Sequence, residues 1–352
     1  MMVAKNASDL HLTVGQPPQL RIDGELTPID FPKLKPDMVE DLVREMLSRE
    51  HFERFQKLKE YDGSFGIPGL SRFRINIFRQ RGSIGAAIRA IPHDIPSMKA
   101  LGLPDAVREF AEEPVGLVLV TGATGSGKST TLASMIDYIN QTRKCHIVSI
   151  EDPIEYLHKH NKSTINQREL GQDTVSFAEA LKHVFRQDPD VVLIGEMRDL
   201  ETIHMALTLA ETGHLVLATL HTSDAIHTIS RIIDVFPSHQ QDQIRIQLSM
   251  VLIGVLAQQL LPKKGGGRNL ALEVMRVTPA IQNLIRENAI HQIYSVIQTG
   301  KKRGMVTMNQ SLCQLYEDGI VSWEDASKKS PSMDELISIT KKKPEGAGAK
   351  RR

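Results

Sequence analysis

The 352-residue sequence predicts an α/β protein in two parts: a small mixed module, then a parallel sheet flanked by helices with a helical region at its end. Three observations predict this. Four apolar runs, VGLVLV (115–120), HIVSI (146–150), VVLIG (191–195) and HLVLATL (214–220), show no polar alternation, as strands buried on both faces do. Helical patterns alternate with these runs, the signature of strands joined through crossover helices. Ahead of them, about 95 residues read instead as short strands around a charged helical stretch.

In the N-terminal module, Leu10 to Val14 and Gln19 to Ile22 are strand candidates, and Asp23-Gly24 is a tight-turn signal. Pro36 to Glu60 carries Met38, Val39, Leu42, Met46 and Leu47 at helical spacing. SRFRINIFRQRGSIGAAIRAI (71–91) alternates as strands do, with Gly82 and Gly85 marking a turn, and holds Arg72, Arg74, Arg79, Arg81 and Arg89. Three prolines in residues 92–104 mark a linker, because proline fixes φ and removes a donor. After Asp224 the chain reads as mostly helical to about Ile339, broken by glycines at 265–267. The resulting division is 1–95, a linker with a lead-in helix over 96–112, a core over 113–265, a helical region over 266–340, and a basic tail over 341–352 expected to be disordered.

Composition excludes several classes. Lys plus Arg is 43 against Asp plus Glu 42, a net charge of +1, so a strongly basic nucleic-acid binder is not expected. Two cysteines, Cys145 and Cys313, cannot build a disulfide framework or a four-cysteine zinc module. The N-terminus has no basic segment leading into an apolar one. The longest apolar stretch, Met250 to Ala257, is far short of the ~20 residues that span a bilayer. A cytoplasmic location is therefore expected.

The strand VGLVLV runs into TGATGSGKSTT, and Gly122 to Ser129 matches G-x-x-x-x-G-K-[ST] in full. Gly122, Ala123, Thr124, Gly125, Ser126 and Gly127 would turn backbone N–H groups inward around a phosphate chain. The helix that follows, through Thr130, presents its N-terminal donors to the same anion. Lys128 supplies a point charge to the β- and γ-phosphates, and Ser129 a hydroxyl to Mg²⁺.

Phosphoryl transfer also needs a magnesium ligand and a group to orient water. HIVSI ends in EDPIE, giving Glu151, Asp152 and Glu155; VVLIG ends in Glu196. Ligands of open α/β sheets bind beyond the carboxyl ends of the strands, so both segments can face the loop. Glu196 is assigned to the magnesium shell through water and Glu155 to polarising the attacking water, and these roles can be exchanged. His214 and His221 bracket the last run; roughly 23 Å of strand separates them, so they cannot share one ion. They sense the γ-phosphate, orient an acid by hydrogen bonding, or simply satisfy strand ends. The arginines between 72 and 89 stabilise transferring phosphoryl charge as finger residues, line a solvated strand face, or, less in keeping with Phe73 and Phe78 as core positions, contact a nucleic-acid backbone.

Together, GATGSGKST, IEDPIEY, LIGEMRD and TGHLVLATLHT resemble the Walker A, aspartate, Walker B and histidine boxes of the secretion ATPase superfamily. ASDLHL, RFRINIFRQRGSIGAAIRAIP, VLAQQLLPK, AIQNLIRE and MNQSL are similar to its type IV pilus retraction branch, the motors of twitching motility. The resemblance covers residues ~3 to 340. It implies a PAS-like α+β N-terminal domain and a RecA-like P-loop domain, assembled as a homohexameric ring with ATP between the two domains. It implies that Arg74 and Arg89 approach the phosphates, that Glu155 is the catalytic acid, Glu196 the Walker B acid, and His214 and His221 the histidine box. Gln282 stands where the family's C-terminal motif has arginine. The implied partner is an inner-membrane pilus platform protein, with the pilus machinery engaged indirectly and the ring peripheral to the inner membrane. A related assembly, secretion or DNA-uptake ATPase and a non-hydrolysing nucleotide-binding subunit are the alternatives.

Overall fold

The computed structural model describes residues 1–5, 7–22, 24–67, 70–91 and 94–341. The chain forms two compact units. The N-terminal unit comprises Met1–Asp94, Pro153–His158 and Glu169–Asp173; the larger unit holds Ile95–Asp152, Lys159–Arg168 and the chain from Thr174. Asp23 of the expected turn, Pro92 of the expected linker and all but Lys341 of the expected tail lie outside the described residues.

In the N-terminal unit, β1 (Asp9–Leu12), β2 (Gln19–Ile22), β3 (Glu25–Pro28), β4 (Glu60–Ile67), β5 (Ser71–Gln80) and β6 (Ser83–Ala90) form an antiparallel sheet in the order β3-β2-β1-β6-β5-β4. Alternation sets its faces: Phe73, Ile75 and Ile77 of β5 are buried, while Arg72, Arg74 and Asn76 point the other way. Helices α1 (Pro36–Met46) and α2 (Arg49–Leu58) cover the apolar face with Val39, Val43, Phe52 and Phe55. The single helical stretch expected over 36–60 is thus two helices. Ser48 restarts the chain as an N-cap, its hydroxyl accepting from the His51 N–H at 3.2 Å, and Lys59 ends α2 at φ 67°.

The larger unit opens with α3 (Asp105–Glu112), then β7 (Gly116–Thr121), α4 (Lys128–Thr142), β8 (His146–Glu151), β9 (Thr164–Glu169), α5 (Phe177–Val184), β10 (Val191–Ile194), α6 (Leu200–Glu211) and β11 (Leu215–Leu220). It continues through α7 (Ala225–Asp234), α8 (Ser238–Val251), β12 (Leu252–Pro262), β13 (Arg268–Arg276), α9 (Pro279–Arg286), α10 (Ile293–Thr299), α11 (Met308–Glu317), α12 (Trp323–Lys329) and α13 (Met333–Ile339). All four predicted apolar runs are strands. They sit inside a seven-stranded sheet ordered β13-β12-β7-β11-β10-β8-β9.

Strand period explains the layers. Leu117, Leu119, Val148, Ile150, Val192 and Ile194 face one cluster, completed by α5 to α8. Val118, Val120, Ile147, Val191 and Leu193 face the other, completed by Phe110 of α3 and Leu132, Met135 and Ile139 of α4. Each such buried aliphatic side chain contributes roughly 1.5–3 kcal/mol.

The helical reading of the chain after Asp224 is corrected over 252–276. Those residues are the hairpin β12–β13, with β12 parallel to β7 and β13 antiparallel to β12. VLIGVLAQQLL is apolar on both faces, so its pattern cannot separate a buried strand from a buried helix. The glycines at 265–267 form the hairpin's turn, all at positive φ, and regular helix returns only at α9. α11 to α13 then pack Met308, Leu312 and Leu336 against Leu261 and Ala271 of the hairpin.

Candidate active site

The parallel pairing of β7, β11, β10 and β8 brings their carboxyl ends to one edge of the larger unit. Thr121 pairs with Leu220, Ala218 with Ile194, and Ile194 with Ile150. Gly122, His221, Gly195 and Glu151 therefore leave, or end, neighbouring strands at the same edge.

The loop 122–127 is shaped by glycine. Gly122 has φ +140°, and a Cβ there would stand 2.5 Å from the Gln258 carbonyl oxygen and 2.6 Å from Ser126 Oγ. Gly127, at φ 92°, is the N-cap of the 15-residue α4, and no side chain caps that helix. The N-terminus of such a helix favours an anion. The buried Lys128 Nζ donates to the carbonyls of Gly122 at 2.8 Å and Ala123 at 3.2 Å. Thr121 Oγ1 and Ser126 Oγ are buried and, among the described residues, make no hydrogen bond. Unsatisfied hydroxyls beneath a glycine loop suit a phosphate chain. Ser129 and Thr130 are half-buried in the first turn of α4.

Gly195 stands after β10 for a steric reason. Its Cβ would lie 3.1 Å from both the Glu151 Cα and the Ile150 carbonyl oxygen, and its N–H donates to that oxygen at 2.8 Å. The acid is displaced to Glu196. Arg198 Nε lies 2.5 Å and His221 Nε2 3.2 Å from Glu196 Oε1. Burial pushes the Glu196 carboxyl up, but Arg198 and His221 together outweigh it and hold the group below the usual carboxylate range. Glu151 is occupied otherwise, accepting from Ser149 Oγ at 2.6 Å and Gln167 Nε2 at 3.2 Å.

His214 is not brought to this edge. It precedes β11 at the amino end, where the Gly116 N–H donates to its carbonyl at 3.0 Å and its Nδ1 lies 2.9 Å from the Leu209 carbonyl oxygen. Within this chain the two histidines of the box sit at opposite ends of one strand.

The remaining predicted residues lie in the N-terminal unit. A cavity of about 190 Å³ there is lined by Arg74, Arg89, Ile91, Ile154, Glu155 and Tyr156. Glu155 is exposed. Arg89 Nε donates to Asp9 Oδ1 at 2.8 Å, whereas Arg74 is exposed and, among the described residues, has no ion pair. Arg72 is committed to Glu169 at 3.1 Å, and the Arg79 guanidinium lies 5.9 Å from the Phe55 ring centroid. The exposed cation and the one tethered by a carboxylate, Arg74 and Arg89, are the pair that faces Glu155. No group of three or more histidine, cysteine or acidic side chains arranged to hold a metal occurs among the described residues.

Sequence reasoning missed Arg198 and Glu169. Arg198 is two residues beyond Glu196 and could have been found as the nearest cation to that acid. Glu169 closes a polar strand, and no local pattern separates it from a solvated acid.

Comparison with known proteins identifies the family. Residues 3–328 match the family of type II/IV secretion system proteins. The type IV pilus retraction ATPase PilT of Pseudomonas aeruginosa is 48% identical over 326 residues, covering 93% of this chain and 95% of the relative. A twitching motility protein of Neisseria gonorrhoeae is 47% identical over 91% of this chain and 86% of its own length. A crystal structure of the pilus retraction motor PilT with bound ADP superposes with a TM-score of 0.90 at 54% identity, covering 96% of this chain and 97% of that one. Since the match takes in both units and every motif described above, the chain belongs to the type II/IV secretion system protein family.

Proposed function

We propose that this chain is an ATPase whose hydrolysis cycle powers type IV pilus retraction and twitching motility. The observation that carries the reading is the convergence, at one sheet edge, of an uncapped helix behind a glycine loop with an acid held ionised by Arg198 and His221. Relatives named as the retraction ATPase and as a twitching motility protein match nearly the whole chain.

The substrate is ATP. The amides of residues 122–130 and Lys128 bind its phosphates. Mg²⁺ would be held by Ser129 and, through water, by Glu196, and when bound it would neutralise charge on the β- and γ-oxygens. Glu155 accepts a proton from the attacking water and orients it. Arg74 and Arg89 stabilise charge on the transferring phosphoryl group. His221 keeps the Glu196 carboxylate in place. His214 serves the amino end of the sheet and takes no part in the chemistry within its own chain.

Because the phosphate loop and the arginines belong to different units, turnover in this reading requires the two to act together, which links hydrolysis to motion. Self-association into a homohexameric ring that acts on an inner-membrane platform protein would convert that motion into pilus disassembly. No described helix is long and apolar enough to cross a membrane.

Glu155→Gln tests the chemistry: ATP affinity stays unchanged and phosphate release falls at least a hundredfold. Unchanged turnover would refute the assignment. Cells carrying only that variant are expected to keep surface pili and lose twitching; bald cells would point to assembly instead.

A further inference from the structure

Glu155 sits on a segment that is anchored at the preceding residue. The Ile154 N–H donates to Glu169 Oε2 at 3.2 Å, and the Ile154 side chain is buried. Glu169 is 1% exposed, so its carboxylate must be fully satisfied by protein groups. Its Oε2 also accepts from Arg72 Nη2 at 3.1 Å, and its Oε1 accepts from Ser64 Oγ at 2.7 Å. Ser64 Oγ spends its one hydrogen on Glu169 and takes Arg72 Nε at 3.0 Å and Gln172 Nε2 at 3.2 Å on its lone pairs. All of these groups lie in the N-terminal unit, with Arg74, Arg89 and Glu155.

We propose that Glu169, braced by Arg72 and Ser64, is a positioning residue that fastens the Glu155 segment to the arginine-bearing sheet, so that acid and arginines are held as one piece. The inference rests on the proposed role of Glu155 and adds a reason for its placement. Holding the amide of Ile154 fixes the peptide plane between residues 153 and 154, one residue ahead of Glu155. Arg72, close along the same sheet to the arginines that face the cavity, is thereby a brace and not a finger.

The network tolerates no isostere. In Glu169→Gln, an amide nitrogen turned towards Arg72 and Ile154 meets two donors. Turned towards Ser64, it asks for a third lone pair on an oxygen that has two. Either way a buried donor is stranded and the 153–156 segment loses its anchor. A displacement of about 1 Å at a reacting group costs on the order of a hundredfold in rate.

The test is a cycle of Glu169→Gln with Glu155→Gln, read by single-turnover phosphate release and by ATP binding in the full-length protein. Glu169→Gln alone is expected to lower the single-turnover rate ten- to a hundredfold with ATP affinity within about twofold. Added to Glu155→Gln, it should lower the residual rate less than twofold, because nothing is left to position. A loss of equal size in both backgrounds, or no loss in either, overturns the proposal. If Glu155→Gln itself keeps the parental rate, the reading of Glu155 falls first, and that outcome is distinct from additivity. Arg72→Lys keeps the charge but not the paired geometry; should Glu169→Gln unfold, the same cycle run with Arg72→Lys supports or overturns the proposal by the same criteria.

Discussion

Glu273 predicts a stability that falls as pH rises. It lies on β13, 3% exposed, with Oε1 accepting the Ala225 N–H at 2.9 Å and a second backbone bond from Met308. Both donors are the first residues of helices, α7 and α11, an arrangement that favours an anion. Burial nevertheless prevails: it is the largest cause, Asp224 and Glu335 add to it, and the carboxyl is pushed from 4.5 up to about 7. Between those values the folded chain keeps a proton that the unfolded chain has released. The stabilisation from that proton is complete below 4.5 and disappears as pH climbs through 7. At about 1.36 kcal/mol per pKa unit the change amounts to about 3 kcal/mol. Glu273→Gln stays neutral throughout and can still accept from the helix ends. Relative to the parent, it should gain about 2.5 kcal/mol between pH 5 and pH 8. The single tryptophan, Trp323, lies in the helical cluster packed on this hairpin and reports urea unfolding of the region. A parent-to-variant difference that is the same at both pH values would refute the reasoning.

Other predictions concern the site. Gly122→Ala should abolish ATP binding, since alanine meets both an unfavourable φ of +140° and a carbonyl at 2.5 Å; fluorescent-nucleotide titration checks this, and retained affinity would contradict the account of the loop. Arg198→Ala removes the nearest cation from Glu196, so that carboxyl rises and the acid limb of the kcat–pH profile moves to higher pH; an unmoved limb would separate Glu196 from turnover.

How far the sequence could be read follows from where each signal resides. The strand β7 and its loop are local: an apolar run, then glycines at fixed spacing, each demanded by a phosphate or by a backbone close by. The four buried strands were legible for the same reason, because burial on both faces leaves no alternation. β12 was not, since an apolar stretch of that kind suits a strand or a buried helix equally and only its pairing with β7 decides. His214 and His221 look alike in sequence; parallel register alone puts one at the loop's end of the sheet and the other at the far end. Glu169 was illegible because its partners, Ser64, Arg72 and Ile154, come from distant stretches of chain.

The division of EDPIE between the units bears on why such a site can drive a motor. Glu151 and Asp152 belong to the larger unit with the phosphate loop, while Pro153 to Glu155 belong to the N-terminal unit. Had the catalytic acid been Glu151, one unit would hold phosphate, magnesium ligand and acid together, and ATP would be cleaved whatever the other unit did. Glu151 is instead consumed by Ser149 and Gln167. On the proposed assignment the acid and both arginines travel with the other body, so cleavage is conditional on that body's position. Conditional cleavage separates a motor from a simple hydrolase, because a cycle does work only when chemistry waits for motion.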